Sequence, residues 1–386
     1  MMRSHAGLLV LLAAGLALSA CSGKAKVREP AELIKIENPQ VQSKAVWSAR
    51  AGKGGGKNYS ALTVVPQPDA VFTADIKGRV FALDPTTGKS IWTTDTESRI
   101  VAGPSLSGGN VYVGTLDAEV IALSRADGKE IWRSTVNSEV LAPPVSDGNV
   151  VIVRSVDGSI AGLSEIDGEQ LWSLDRKVPS LTLRGLAEPV LFAGVAVIGL
   201  DNGRLLAVRM EDGQPIWEQV IAVPGGRTEL ERLTDVDGQL VVSPNGVFAI
   251  SYGAELASIR VVDGEVNWRR SIKGNTGVTL HEDLIISSDE AGVVWALDAE
   301  SGAAAWKLEE LQYRRLSRPQ SIGDYIVVSD FEGYLHWLSP RDGRIVGRSR
   351  VASDPLIGAP VEYEGELYTL AADGRVRRSA IEALSN

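Results

Sequence analysis

DAEVIALSRADGKEIW, running from Asp117 to Trp132, is the stretch whose reading decides the fold. Val120-Ile121-Ala122-Leu123 is a short apolar run, Asp127-Gly128-Lys129 is a turn, and Ile131-Trp132 opens a second run. Two β-prone runs joined by a glycine-containing turn read as a β-hairpin. The chain repeats this stretch as DIKGRVFALDPTTGKSIW ending at Trp92, DGSIAGLSEIDGEQLW ending at Trp172, DNGRLLAVRMEDGQPIW ending at Trp217 and DEAGVVWALDAESGAAAW ending at Trp306. Internal repetition at this period outranks every other fold signal.

The tryptophan column is Trp92, Trp132, Trp172, Trp217, Trp268 and Trp306, at spacings of 40, 40, 45, 51 and 38 residues. Each follows by four residues a turn glycine: Gly88, Gly128, Gly168, Gly213, Gly264 or Gly302. A seventh copy keeps the turn at Asp342-Gly343 but has Gly347 where tryptophan is due. An eighth starts at Asp373-Gly374 and stops before its last strand. Lys44-Ala45-Val46-Trp47 supplies the matching arm at the other end of the chain, with Trp47 lying 45 residues before Trp92.

The unit from Arg99 to Thr135 divides into four strands, IVAGPSL, NVYVGTL, EVIALS and EIWRS. Four-stranded units at a period near 40 point to a β-propeller. The expectation is an all-β, eight-bladed propeller of antiparallel blades, covering residues 44–386 and closed by the N-terminal strand. Closure leaves no terminal blade uncovered. The inter-blade tryptophans, Trp47 included, then serve as apolar plugs with each N–H near a turn carbonyl. The turn aspartates bond their own backbone, and the glycines accept positive φ.

Residues 1–20 read as a signal peptide: Arg3 precedes an apolar run from Ala6 to Leu18 that is too short to span a bilayer. Leu18-Ser19-Ala20-Cys21 resembles a lipobox, and Cys21 is the only cysteine in 386 residues. Cys21 is therefore expected to carry the lipid, with Ser22 resembling the outer-membrane sorting pattern. Residues 21–43 then form a polar tether of roughly 25–30 Å mean span. Without a disulfide, stability rests on packing and ring closure. The formal charge of −10 argues against nucleic acid as a partner.

Chemistry is sparse. Gly52-Lys53-Gly54-Gly55-Gly56-Lys57 departs from phosphate-loop spacing at Ala51 and Asn58, and no helix follows it. Three histidines and one cysteine make a zinc site improbable. Thr234-Asp235-Val236-Asp237-Gly238 lacks the third ligand position and distal Glu of a calcium loop. No nucleophile–base pair emerges, so neither catalysis nor a cofactor is expected.

The long units mark two insertions: Val178 to Gly185, with Leu181, Leu183 and Arg184, and Gly225 to Asp237, ending in Asp235 and Asp237. Inserted propeller loops gather on a binding face. Leucines ringed by charge suit an interface centre; the alternative is local core beneath the loop.

The repeat A-L-D-x-x-T-G-K-x-x-W resembles the PQQ-type propeller repeat. The lipobox, Asn58-Tyr59-Ser60, Pro179 to Gly185, Arg232 to Asp237, and Glu332-Gly333-Tyr334-Leu335-His336-Trp337 together resemble the BamB family of outer-membrane protein assembly factors. That resemblance implies a monomeric, lipid-anchored scaffold on the periplasmic face of the outer membrane, docked on the POTRA domains of BamA. It implies Leu181, Leu183, Arg184, Asp235 and Asp237 as the partner-binding residues. Exposed blade edges could present themselves to unfolded outer-membrane protein strands by β-augmentation. Two alternatives stay open: a PQQ-dependent quinoprotein dehydrogenase, disfavoured by the lack of a second cysteine, and a propeller binding a small ligand in its axial channel.

Overall fold

The computed structural model describes residues 28–56, 60–184, 187–225 and 227–384. The signal segment, Cys21, Asn58, Tyr59, Gly185 and Gly226 lie outside them. Eight blades of four antiparallel strands make up the propeller, and Ala61–Leu62 adds a short fifth strand, parallel to Ile100–Ser107, to one of them. Blade 1 comprises Val64–Pro66, Val71–Ala74, Arg79–Leu83 and Ser90–Asp95. Blades 2 to 7 follow in chain order, each running from its innermost to its outermost strand, and blade 7 ends at Ile345–Arg350. The 3-10 turn Leu230–Arg232 is the only helical element among the described residues.

Blade 8 is built from both ends of the chain. Val361–Tyr363, Glu366–Leu370 and Arg375–Ala383 are completed by Val41–Arg50, and Trp47 sits opposite Arg378. The closing strand is longer than expected, starting at Val41 rather than Lys44. Part of the expected tether is bound as well: Ala31 N–H donates to Gln312 O (2.9 Å) and Gln40 N–H to Val346 O (2.7 Å). A ten-residue strap from Ala31 to Gln40 therefore borders blade 7 before the closing strand begins.

The tryptophans obey one rule around the ring. Each indole N–H donates to a turn carbonyl of the next blade: Trp47 to Pro85, Trp92 to Arg125, Trp132 to Glu165, Trp172 to Met210, Trp217 to Val261, Trp268 to Ala299 and Trp306 to Pro340, at 2.6–3.1 Å. Each ring also lies on the next blade's turn glycine. A β-carbon on Gly88, Gly128, Gly168, Gly213, Gly264, Gly302 or Gly343 would come within 2.4–2.8 Å of the preceding blade's indole. These glycines are thus doubly constrained, because all also hold φ near +70°. Aliphatic side chains of the middle strands fill the blade interfaces, as with Val197, Leu205, Val247 and Ile259 between blades 4 and 5.

Blade 7 lacks the tryptophan because blade 8 lacks the turn. Where a turn would join its last two strands, residues 40 and 384 lie side by side instead, with Leu384 N–H donating to Gln40 O (2.7 Å). Val41 fills the site where an indole would otherwise dock, against Gly347.

Candidate partner-docking surface

The two insertions follow blades 3 and 4 and meet each other. In the first, Leu181 is 43% exposed, Leu183 is half-buried, and Arg184 is exposed with φ +74°. Left-handed backbone at a residue with a long side chain is uncommon and needs local support. Two side chains in this region accept from the loop backbone: Thr182 Oγ1 takes the Arg184 N–H (3.1 Å), and Asp235 Oδ1 takes the Leu183 N–H (2.8 Å). The second contact ties the two insertions together.

The second insertion has an outer and an inner half. Outside, the turn at Leu230–Arg232 is closed by Glu231, whose carboxylate accepts from Arg227 N–H (2.7 Å) and Thr228 N–H (3.1 Å). It leaves Val223 73% and Leu230 63% exposed, on a cleft also bounded by Tyr252, Lys273 and Glu290. Inside, Leu233, Val236 and Leu240 are buried, and the last two join the apolar layer between blades 4 and 5. Val236 N–H donates to Leu200 O (3.2 Å), and Tyr252 N–H donates to Asp235 O (2.9 Å). Gly199 permits this entry, since a β-carbon there would lie 2.3 Å from Val236 O.

Asp235 is consequently fully buried and Asp237 half-buried, whereas Leu181 and Arg184 face solvent. Asp235, expected at the partner surface, is instead buried and supports the Leu183 loop from within. Oxygens of Asp201, Asp235 and Asp237 lie within 4.8 Å of one another, close enough to hold a cation, and Arg154 already brings a buried guanidinium to Asp201. Burial chiefly, with Asp201 adding, pushes the Asp235 carboxyl up to about 6, although the Leu183 N–H opposes this. Of the five residues expected at the partner surface, the structure joins Leu183 to Asp235 by a hydrogen bond; Leu181 and Arg184 lie on the first insertion and Asp237 on the second. Exposed Val223, just before the second insertion, and exposed Leu230 within it carried no distinguishing signal in the sequence, since Leu233 and Val236 of the same stretch are apolar and buried.

The axial channel holds a cavity of about 480 Å³ bordered by Glu188, Asn275, Thr276 and Arg318. Burial pushes the Glu188 carboxyl up to about 7, partly countered by Arg318.

A family profile described as outer membrane protein assembly factor BamB matches residues 44–308. The chain belongs to the BamB family. An Alkalilimnicola ehrlichii protein named outer membrane protein assembly factor BamB is 46% identical over 368 residues, covering 95% of both chains. The crystal structure of BamB from Moraxella catarrhalis aligns with a TM-score of 0.81 at 28% identity, over 88% of this chain and 100% of that one. A quinohemoprotein alcohol dehydrogenase from Comamonas testosteroni aligns with a TM-score of 0.71 at 13% identity, over 89% of this chain and 77% of that one, and shares the fold alone. BamB proteins are assembly factors, so the chain stands with non-catalytic scaffolds of outer-membrane protein assembly rather than with the dehydrogenases. No helix among the described residues is long and apolar enough to cross a membrane.

Proposed function

We propose that this protein is a rigid, non-catalytic scaffold of the β-barrel assembly complex, lipid-anchored through Cys21 at the periplasmic face of the outer membrane. Its two insertions dock on the POTRA domains of BamA. The observation that carries this reading is the Leu183 N–H to Asp235 bond, which ties the loop of exposed Leu181 and Arg184 to the second insertion, where Leu230 is exposed as well. Apolar side chains on a pre-ordered loop, with a guanidinium at the rim, lose little freedom on binding. Leu183→Glu and Arg184→Ala should each abolish co-purification with BamA from solubilised envelope while leaving the thermal unfolding midpoint near wild type. Normal co-purification of both variants would refute the docking assignment.

A second contact, with unfolded outer-membrane protein strands, is favoured by the outermost strands. The residue before the inter-blade tryptophan is an exposed aliphatic on five consecutive blades, 8 and 1 to 4: Val46, Ile91, Ile131, Leu171 and Ile216. An apolar position on an unpaired strand edge suits β-augmentation. A photocrosslinker at Ile131 should capture an unfolded barrel substrate where one at Asn267 of blade 5 does not; equal capture would sink this contact.

A further inference from the structure

Blade 7 contains a buried charge network that neither ring closure nor the docking loops require. Asp330 and His336 are fully buried and Arg314 nearly so. Arg314 Nε donates to Asp330 Oδ2 (2.8 Å), and its Nη2 to Glu332. His336 Nε2 lies 2.9 Å from Asp330 Oδ2, and Arg348 Nε donates to His336 Nδ1 (3.3 Å). Nδ1 therefore accepts and Nε2–H donates, so the ring is a neutral imidazole. Burial, the largest influence on it, likewise holds its pKa below the ordinary histidine value. Such a cluster is expensive to desolvate, and its return lies in fixing a geometry rather than in stability.

What it fixes is the strap. Arg314 Nη1 donates to Ala31 O (2.9 Å), and Arg348 Nη1 donates to Ile34 O (2.8 Å). With the Ala31–Gln312 and Gln40–Val346 bonds, four hydrogen bonds sew Ala31–Gln40 to blade 7. Both arginines read main-chain oxygens, so their grip does not depend on which side chains the strap carries. Glu332 and His336 of the Glu332-to-Trp337 motif thereby acquire a role.

We propose that this network is a latch that turns the blade 7 side of the propeller toward the lipid bilayer. The proposal rests on Cys21 carrying the lipid. Ala31 is ten residues beyond Cys21, a stretch that spans at most about 35 Å when fully extended. From Val41 the same limit would be about 70 Å. The latch therefore halves the reach and carries the attachment point from the blade 7–blade 8 seam onto blade 7 itself. Blade 3 is the fourth blade away in either direction and lies across the ring. On the strap itself, half-exposed Ile34 borders a cleft of mixed charge, with Lys35 and Arg344 as well as Glu37 and Glu310, and so offers an apolar side chain at the polar interfacial layer of a bilayer. The bilayer and the insertions after blades 3 and 4 then occupy opposite sides of the ring, which leaves the docking loops unobstructed.

The test uses full-length lipidated protein in phosphatidylethanolamine–phosphatidylglycerol vesicles doped with a nitroxide-headgroup lipid. One fluorophore is attached at Arg341→Cys in blade 7 or at Asp167→Cys in blade 3. Quenching should be several-fold stronger at position 341, and equal quenching at both positions would overturn the proposal. Arg314→Ala with Arg348→Ala should bring the two signals together and speed tryptic cleavage after Lys35. Should that double variant unfold, a Gly-Ser insertion of fifteen residues between Pro30 and Ala31 leaves the latch intact and should equalise the signals by length alone. Persistence of the difference in the insertion variant would also overturn the proposal. Cys21→Ser should release the protein from the vesicles; retention would instead refute the lipid-anchor reading beneath it.

Discussion

A β-carbon on Gly347 would lie 2.3 Å from the carbonyl oxygen of Val41, the first residue of the closing strand. The one interruption in the tryptophan column is therefore the place where the ring is closed. Gly347→Ala should force the Val41 end of that strand outward, since the obstacle is backbone that no rotamer change can clear. Hydrogen exchange across residues 41–50 should accelerate relative to blade 3, and the unfolding midpoint should fall. Unchanged protection there would mean that closure does not depend on this contact.

The turn glycines allow conformational strain to be separated from steric exclusion. Gly128 and Gly365 share φ near +70° to +77°, but a β-carbon on Gly128 meets the Trp92 ring at 2.5 Å while one on Gly365 meets nothing within 4 Å. Gly365→Ala should cost about 1 kcal/mol, the usual cost of alanine in left-handed backbone. Gly128→Ala should cost roughly 1–3 kcal/mol more, as overpacking against a close-packed ring does. Trp92→Ala should cost about 3–5 kcal/mol. Urea unfolding of the three variants checks the order; equal losses for the two glycine variants would remove the docking role assigned to the ring.

The pH dependence of Asp235 has a definite sign. Its carboxyl titrates near 6 in the folded protein against 3.8 in the reference state, because burial disfavours the charge. A raised carboxyl pKa favours folding below the lower value, and that advantage is lost as pH climbs from about 4 to about 6. Asp235→Asn cannot ionise and keeps an oxygen for the Leu183 N–H, so its stability should fall less over that interval. Asp235→Ala should flatten the profile equally but free the Leu183 loop and weaken BamA co-purification. Urea midpoints across pH 4–7 separate these outcomes, and an unchanged slope in Asp235→Asn would remove Asp235 as the titrating group.

The repeat was legible because indole, turn glycine and Asp are each demanded by local sterics and recur at a fixed register. Which tryptophan each glycine serves was not legible. Gly128 precedes Trp132 by four residues in sequence, yet it packs on Trp92 of the preceding blade. The burial of Asp235 was hidden for a similar reason, since it follows from Val236 entering the layer between blades 4 and 5 past Gly199. The strap was hidden most deeply. Its hydrogen bonds use the backbone of residues 31, 34 and 40, which leaves no mark on side-chain composition, and Arg314 and Arg348 resemble surface arginines until Asp330 and His336 are placed beside them.

Arg154 links three blades through the acidic trio. It lies on blade 3, pairs with Asp201 in a turn of blade 4, and through that carboxylate faces Asp235 at the entry to blade 5, which holds Leu183 in the first insertion. Removing it in Arg154→Met leaves Asp201 buried without its guanidinium and close to two other carboxylates. Breaking one side of a buried pair costs on the order of 3–5 kcal/mol, whereas replacing both partners with uncharged groups of similar size is often nearly neutral. Asp201→Asn in the Arg154→Met background should therefore recover much of the stability lost. A double-mutant cycle by urea unfolding measures that recovery. If the two losses simply add, the pair is not coupled, and the trio cannot be what holds the two insertions in register.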